Sequence, residues 1–186
     1  MTVGFAMCGS YCTHKKALEQ LQMLTSMYNI KPIMSENVYT TDTRFGRCEE
    51  LKKRVSEMCG TEIIHTIRDA EPLGPSIPLD ALIICPCTGN TLAKMSLGIT
   101  DTSVAMAAKA HLRSNRPLVI ALASNDALSA NLKNIGTLLS RKSVFFVPMY
   151  QDDPEKKPHS LIADFSLLRP TLECAMEGKQ FQKIFV

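Results

Sequence analysis

The sequence predicts a doubly wound α/β fold, a parallel sheet of about six strands wound in the Rossmann-like or flavodoxin-like manner, formed as one domain over residues 1–186. Three observations predict it. Short apolar runs rich in β-branched residues alternate with stretches of helical period along the whole chain. Polar, glycine-bearing segments fall directly after several of those runs, where a parallel sheet gathers its loops and helix N-termini. A chain of 186 residues suffices for one buried core and is short for two ordinary domains.

The elements follow in order. "VGFAM" (3–7) is an apolar first strand, and the helix after it carries Ala17, Leu18, Leu21, Leu24 and Tyr28 on one face, with Thr13 as its N-cap. "KPIMS" (31–35) is the second strand. A helix from about Arg47 turns Leu51, Val55 and Met58 inward and is closed by Gly60, as glycine often closes a helix. "EIIHTI" (62–67), "ALIIC" (81–85), "LVIALA" (118–123) and "VFFVPM" (144–149) supply four more strands. Helices are predicted over Thr102–Leu112, Leu128–Leu139 and Ser160–Glu177, the last kinked or broken at Pro170. The proline-rich stretches 71–80 and 148–160 exceed ordinary connections and are lid or interface candidates.

Composition excludes several classes of function. With a net charge of +3, interleaved signs and 6% aromatic residues, nothing resembles a basic, base-stacking face for nucleic acid. No apolar run approaches the roughly 20 residues of a membrane span. The start "MTVGFAMCGS" reads as a buried strand rather than a secretion signal. Seven scattered cysteines, at 8, 12, 48, 59, 85, 87 and 174, suit a reducing cytoplasm.

The polar turns after strands carry the candidate site. They are "CGSYCT", "SENVYTTDTRF", "PCTGNT" and "SND". Each places hydroxyls, amides or a glycine ahead of a helix, where free N–H groups and the helix dipole favour an anion. Neither G-x-G-x-x-G nor a Walker lysine motif is present, so a flavin mononucleotide (FMN) fits better than a dinucleotide or a nucleoside triphosphate. Its phosphate is expected among Ser10, Ser35, Thr88 and Thr91, with Gly9, Gly89, Asn90 and Ser124 completing the cofactor site; ordinary caps and turns are the competing reading. Cys85 and Cys87 are one residue apart, against two to four in zinc fingers and two in common dithiol switches. Strand alternation puts both on one side. The segment is read instead as a turn over the flavin, fixed by Pro86, opened to close approach by Gly89 and given a donor and an acceptor by Asn90.

"PCTGNTLAKMSLGITD" resembles the P-x-S-A-N-T-x-A-K…G-x-x-D segment of the flavoproteins that include pantothenoyl-cysteine and lantibiotic cysteine decarboxylases and flavin prenyltransferases. "CGS" (8–10) resembles that family's phosphate-side T-G-S, and "IMSENV" (33–38) its turn after strand two. "TTDTRFG" (40–46), "PCTGNTLAKMSLGITDTSVAMAAKAHLR" and "VPMYQDDPEKKPHSLIADFSLL" resemble, more narrowly, the B subunits of dipicolinate synthases, across nearly the whole chain.

The resemblance implies one half of a two-component enzyme, acting with the A subunit of dipicolinate synthase. Together they would convert a hydrated, dihydrodipicolinate-type intermediate of the lysine pathway to pyridine-2,6-dicarboxylate in the mother cell of a sporulating bacterium, removing water and two electrons. The resemblance places a nicotinamide cofactor on the A subunit and implies assembly of this chain into trimers or multiples of trimers. The dicarboxylate substrate calls for cations, for which Arg44 and Lys94 are the candidates, with Lys156, Lys157 and His159 joining from a closing loop. Asn125 is what remains of the decarboxylases' P-x-M-N-x-x-M-W clamp, and "PLGPSIPLD" lacks the histidine of their P-x-x-H-I-x-L element. His65 reads as a structural histidine. Decarboxylation of a cysteine-derived substrate and a non-catalytic docking role are the alternatives.

Overall fold

A computed structural model describes residues 1–186. Seven strands form one sheet: β1 (Thr2–Met7), β2 (Asn29–Met34), β3 (Ala81–Cys87), β4 (Leu118–Ser124), β5 (Val144–Phe146), β6 (Met149–Tyr150) and β7 (Leu161–Ala163). The order is β2-β1-β3-β4, all parallel, with β5 continuing the parallel sheet beside Leu118–Ile120 of β4. Beyond β5 the edge of β4 is taken over by an antiparallel addition, in which β7 pairs Ala123 and Ser124, and β6 pairs β7. This is the predicted doubly wound sheet with a short mixed edge.

Eight helices connect the strands: α1 (His14–Thr25), α2 (Glu36–Thr40), α3 (Cys48–Cys59), α4 (Ile67–Ala70), α5 (Gly89–Leu97), α6 (Ser103–Leu112), α7 (Leu132–Leu139) and α8 (Leu168–Met176). Helices α1, α3 and α8 cover one face through Leu18, Leu21, Val55, Leu168 and Leu172, packed on Phe5, Ile83 and Val119. The other face, with Ile84, Ile120 and Leu122, is covered by α4 to α7 through Ala70, Leu92, Val104, Ile135 and Leu138. Burial on both faces explains why β3 is uniformly apolar. No helix is long and apolar enough to cross a membrane.

Four expectations are corrected. "EIIHTI" makes only one bridge, Ile64 to Ile33, before Thr66 caps α4 by accepting from the Asp69 amide. Residues 144–149 split into β5 and β6, because Val147 bonds back to Ile120 O while Met149 changes partner to β7. The helix expected from Ser160 begins at Leu168; Leu161–Ala163 is β7, and Pro170 lies in the first turn of α8, where a missing N–H has no intrahelical acceptor to lose. Residues 71–80 are no lid. Leu73 and Leu79 are fully buried, and a tight turn bonds Gly74 N to Ile77 O and Ile77 N to Pro72 O.

Two buried histidines make stability pH-dependent. His111 places Nε2 2.9 Å from Pro117 O and leaves Nδ1 without a partner, so burial, aided by Arg116, lowers its pKa below the ordinary 6.5; burial lowers His14 likewise, although Cys8 O lies 2.8 Å from its Nε2. Groups that stay neutral when folded contribute stability fully above pH 6.5, and that contribution is lost as pH falls through their lowered folded-state values. The expected result is a melting temperature that declines on acidification below pH 6.5 before the carboxylates titrate. A rising melting temperature there would contradict it.

Candidate functional site

Four loops meet beyond the carboxyl ends of β2, β1, β3 and β4, and hydrogen bonds across the sheet hold them together. Ser35 N bonds Met7 O at 3.0 Å, Cys8 N bonds Pro86 O at 3.1 Å, and Ser10 Oγ donates to Ala123 O at 2.8 Å. Helix α6 closes the β2 side, where Glu36 accepts from Ser103 N at 3.0 Å and Ser103 Oγ donates to Met34 O at 2.7 Å. The crevice is thus framed by backbone.

The hydroxyls expected around a phosphate are brought together but mostly committed elsewhere. Ser10 is held by β4. Thr88 caps α5 by accepting from Thr91 N at 3.2 Å and also donates to Thr91 Oγ1, which itself donates to Cys8 Sγ at 3.3 Å. Ser35 differs, because its hydroxyl makes no cap bond to α2. What the crevice offers instead is backbone. The amides of Gly9 and Ser10, and those of Gly89 and Asn90 in the first turn of α5, have no acceptor within the chain.

Gly89 serves a purpose that its residue type alone does not reveal. Its backbone is not left-handed; an added Cβ would stand 2.5 Å from Ser124 Oγ, 2.6 Å from Asn131 Nδ2 and 2.7 Å from Asp126 Oδ1. The close approach expected toward a ligand is therefore made to the loop after β4. Asp126 accepts from Ser124 Oγ and, at 2.9 Å, from Asn131 Nδ2; Asn131 accepts from Asn134 at 2.8 Å, and Asn134 accepts from Ser96 at 2.7 Å. These bonds keep the Asp126 carboxyl below its usual range. Asp126, missed because "SNDALS" reads as a plain turn, sets an anion beside the N-terminus of α5 on the β4 side. Asn125 is exposed, as is Asn90.

Cys85 and Cys87 do not share a side. Cys85 packs with the α1 and α8 cluster and Cys87 with the α5 to α7 cluster. A bulge is responsible: from Ile84 to Cys87, β3 advances three residues while β4 advances two, from Ile120 to Leu122, which breaks the alternation. Burial pushes both thiols well above their usual range and Cys8 up to about 11. A thiol-alkylating reagent is expected to modify exposed Cys12 in the native protein and reach Cys8, Cys85 and Cys87 only on unfolding, as read by peptide mass spectrometry. Fast native labelling of Cys87 would contradict this.

The predicted cations are dispersed. Lys94 is bound to Asp101 at 2.8 Å, tying the two ends of the A-K…G-x-x-D pattern together across the α5 cap, so it is not free for a substrate. Arg44 is exposed and lies over the Phe45 ring, 4.9 Å from its centroid. Lys157 is bound to Asp152 at 2.7 Å, and the loop carrying it is fastened where Leu128 N bonds His159 O. His65 stacks on Tyr39 at 3.7 Å. On the α1 side of the first loop opens a cleft of about 550 Å³, lined by Tyr11, His14, Lys15, Arg47 and Arg54 among others.

The model of the family described as Flavoprotein matches residues 1–166. The chain is 43% identical to the B subunit of dipicolinate synthase from Bacillus subtilis (strain 168) over 185 residues, 99% of this chain and 92% of that protein. The crystal structure of the dipicolinate synthase B subunit from Bacillus halodurans C matches with a TM-score of 0.91 and 38% identity, covering 100% of this chain and 95% of that one. The dodecameric FMN-dependent UbiX-like decarboxylase of Escherichia coli O157:H7 matches with a TM-score of 0.62 and 25% identity over 80% of each chain. Fold, loop motifs and full-length similarity together place the chain in the flavoprotein family, in the branch formed by the B subunits of dipicolinate synthases.

Proposed function

We propose that this chain works with the A subunit of dipicolinate synthase to convert a dihydrodipicolinate-type intermediate to dipicolinate, and that its crevice holds FMN. The observation that carries the flavin reading is the donor set: amides of Gly9, Ser10, Gly89 and Asn90 without internal acceptors, beside the uncommitted Ser35 hydroxyl. Neutral backbone donors at a loop and a helix N-terminus suit a phosphate monoester. Carboxylates flank this donor set on both sides, Asp126 by the loop after β4 and Glu36 on the β2 side, so the phosphate would be held by amides between them. When bound, FMN would supply a two-electron acceptor for a substrate that loses a hydride equivalent on aromatisation.

The chain's own residues hold and orient. Gly9 and Ser10 present amides, Ser35 its hydroxyl, and Thr88 with Thr91 fixes the start of α5, where the Gly89 and Asn90 amides have no internal acceptor. The nicotinamide cofactor belongs to the A subunit in this reading, because no dinucleotide fingerprint occurs here. Self-association into trimers or their multiples is part of the same proposal. A cysteine-decarboxylase mechanism finds no support in the loop before β3: its histidine position is absent, and Asp80 is engaged by the Thr2 amide at 2.7 Å.

The test is reconstitution. Purified chain, FMN and the A subunit with its nicotinamide cofactor are expected to form dipicolinate faster than the A subunit alone. Equal rates with and without this chain would overturn the proposal.

A further inference from the structure

The cleft beside α1 is chemically unlike the flavin crevice, with which it shares the first loop. The crevice takes Gly9 and Ser10, whereas the cleft takes Tyr11 and the first turn of α1, and His14 bridges them by its contact with Cys8 O. Its floor is apolar: Leu18 and Val38 are almost fully buried, and Phe45 and Leu51 complete the walls. Its charges are mostly cationic, and the cations are unpaired.

Lys15, Arg47 and Arg54 make no ion pair in a chain that has eight. The contrast is sharpest on α3, where Glu49 pairs with Lys52 and Lys53 with Glu57, yet Arg54 makes no pair with Glu50 one turn before it. Glu50 is the cleft's one carboxylate against three cations. Asp42 accepts from Cys48 N at 2.8 Å, and its hydrogen bonds with Cys48, with a smaller contribution from nearby Arg47, hold its carboxyl below the usual range.

We propose that this cleft is a binding site for a flat dicarboxylate, its ring on the apolar floor and its carboxylates on Arg47, Arg54 and Lys15. The proposal rests on the functional reading above and gives the substrate or product a place on this chain outside the flavin crevice. Planar guanidinium groups match carboxylates through paired N–H donors, and an apolar floor favours a ring over a hydrated inorganic ion. The volume of about 550 Å³ lies within the usual range for small-molecule sites and leaves room for hydration. A site sharing the Cys8 to His14 segment with the crevice holds the dicarboxylate next to the proposed flavin.

The experiment is calorimetric titration of the full chain with pyridine-2,6-dicarboxylate in metal-free buffer, since this probe chelates metals. Saturable binding is expected, weakened about tenfold in Arg47→Gln or Arg54→Gln and further in the double variant, with FMN uptake unchanged. Pyridine-2-carboxylate, with one carboxylate, should bind more weakly. The proposal is overturned if no binding is seen, if the double variant binds as the parent does, or if sulfate displaces the probe at equal concentration. Reconstituted activity separates the two readings: an active pair in which this chain does not bind the probe refutes the cleft alone. An inactive parent pair refutes the functional reading and the substrate assignment with it.

Discussion

Gly74→Ala is expected to destabilise the chain by about 3 kcal/mol, lowering the urea midpoint with little change in slope. The residue has φ of +114°, which alanine adopts only with strain, and its added Cβ would run into Ala110 O, with Ala110 C at 2.9 Å and His111 Cα at 3.3 Å. These are backbone atoms of α6, which cannot swing aside as a side chain does. The turn is a strut between β3 and α6, anchored by Leu73 and Leu79. Pro75→Ala, at an exposed neighbouring position, should change stability by under about 0.5 kcal/mol. A Gly74→Ala effect as small as that would mean the segment is loose, restoring the lid that its prolines suggested.

Gly89→Val is the second large effect, and it joins stability to ligand binding. Its side chain must displace Ser124, Asp126 or Asn131, all tied into the hydrogen-bonded series that reaches Ser96 on α5. Overpacking of this kind costs roughly 1–3 kcal/mol, and FMN uptake should fail because the first turn of α5 shifts. Asn90→Ala, at an exposed position, should leave stability alone while weakening flavin binding about tenfold through one or two lost hydrogen bonds. Combining Gly89→Val with Asp126→Ala removes one obstacle, so the pair should be less destabilised than the sum of the single changes. Strict additivity would show that the strain lies elsewhere.

The central strands β3 and β4 were legible because each is a long apolar run that ends in polar turn residues. Even a fine detail such as Gly60 closing α3 in the left-handed conformation, φ 63°, follows from residue type. The failures have a common physical origin in non-local pairing. Leu161–Ala163 carries a helical pattern into α8, yet the open edge of β4 captures it as β7. "EIIHTI" has strand composition, yet only Ile64 finds a partner on β2. The bulge that parts Cys85 from Cys87 depends on the register with β4, which alternation within one strand does not encode.

The convergence of the candidate loops was legible, and their contacts were not. Residues 8–10, 35, 88–91 and 124 do converge, because a doubly wound sheet brings those turns to one edge. Which hydroxyls are spent internally depends on neighbours far along the chain, such as Ala123 for Ser10 and Cys8 for Thr91. Arg47 and Arg54 escaped notice beside Arg44 because the cleft they line exists only once α1 and α3 pack together.

The proposed flavin crevice is tested most directly by titrating the purified chain with FMN and following the visible flavin absorbance, with Ser35→Ala beside the parent. Saturation near one FMN per chain, with a perturbed flavin spectrum and weaker binding by Ser35→Ala, is the predicted result. Uptake absent from the parent, or a flavin spectrum identical to that of FMN free in buffer, would contradict it.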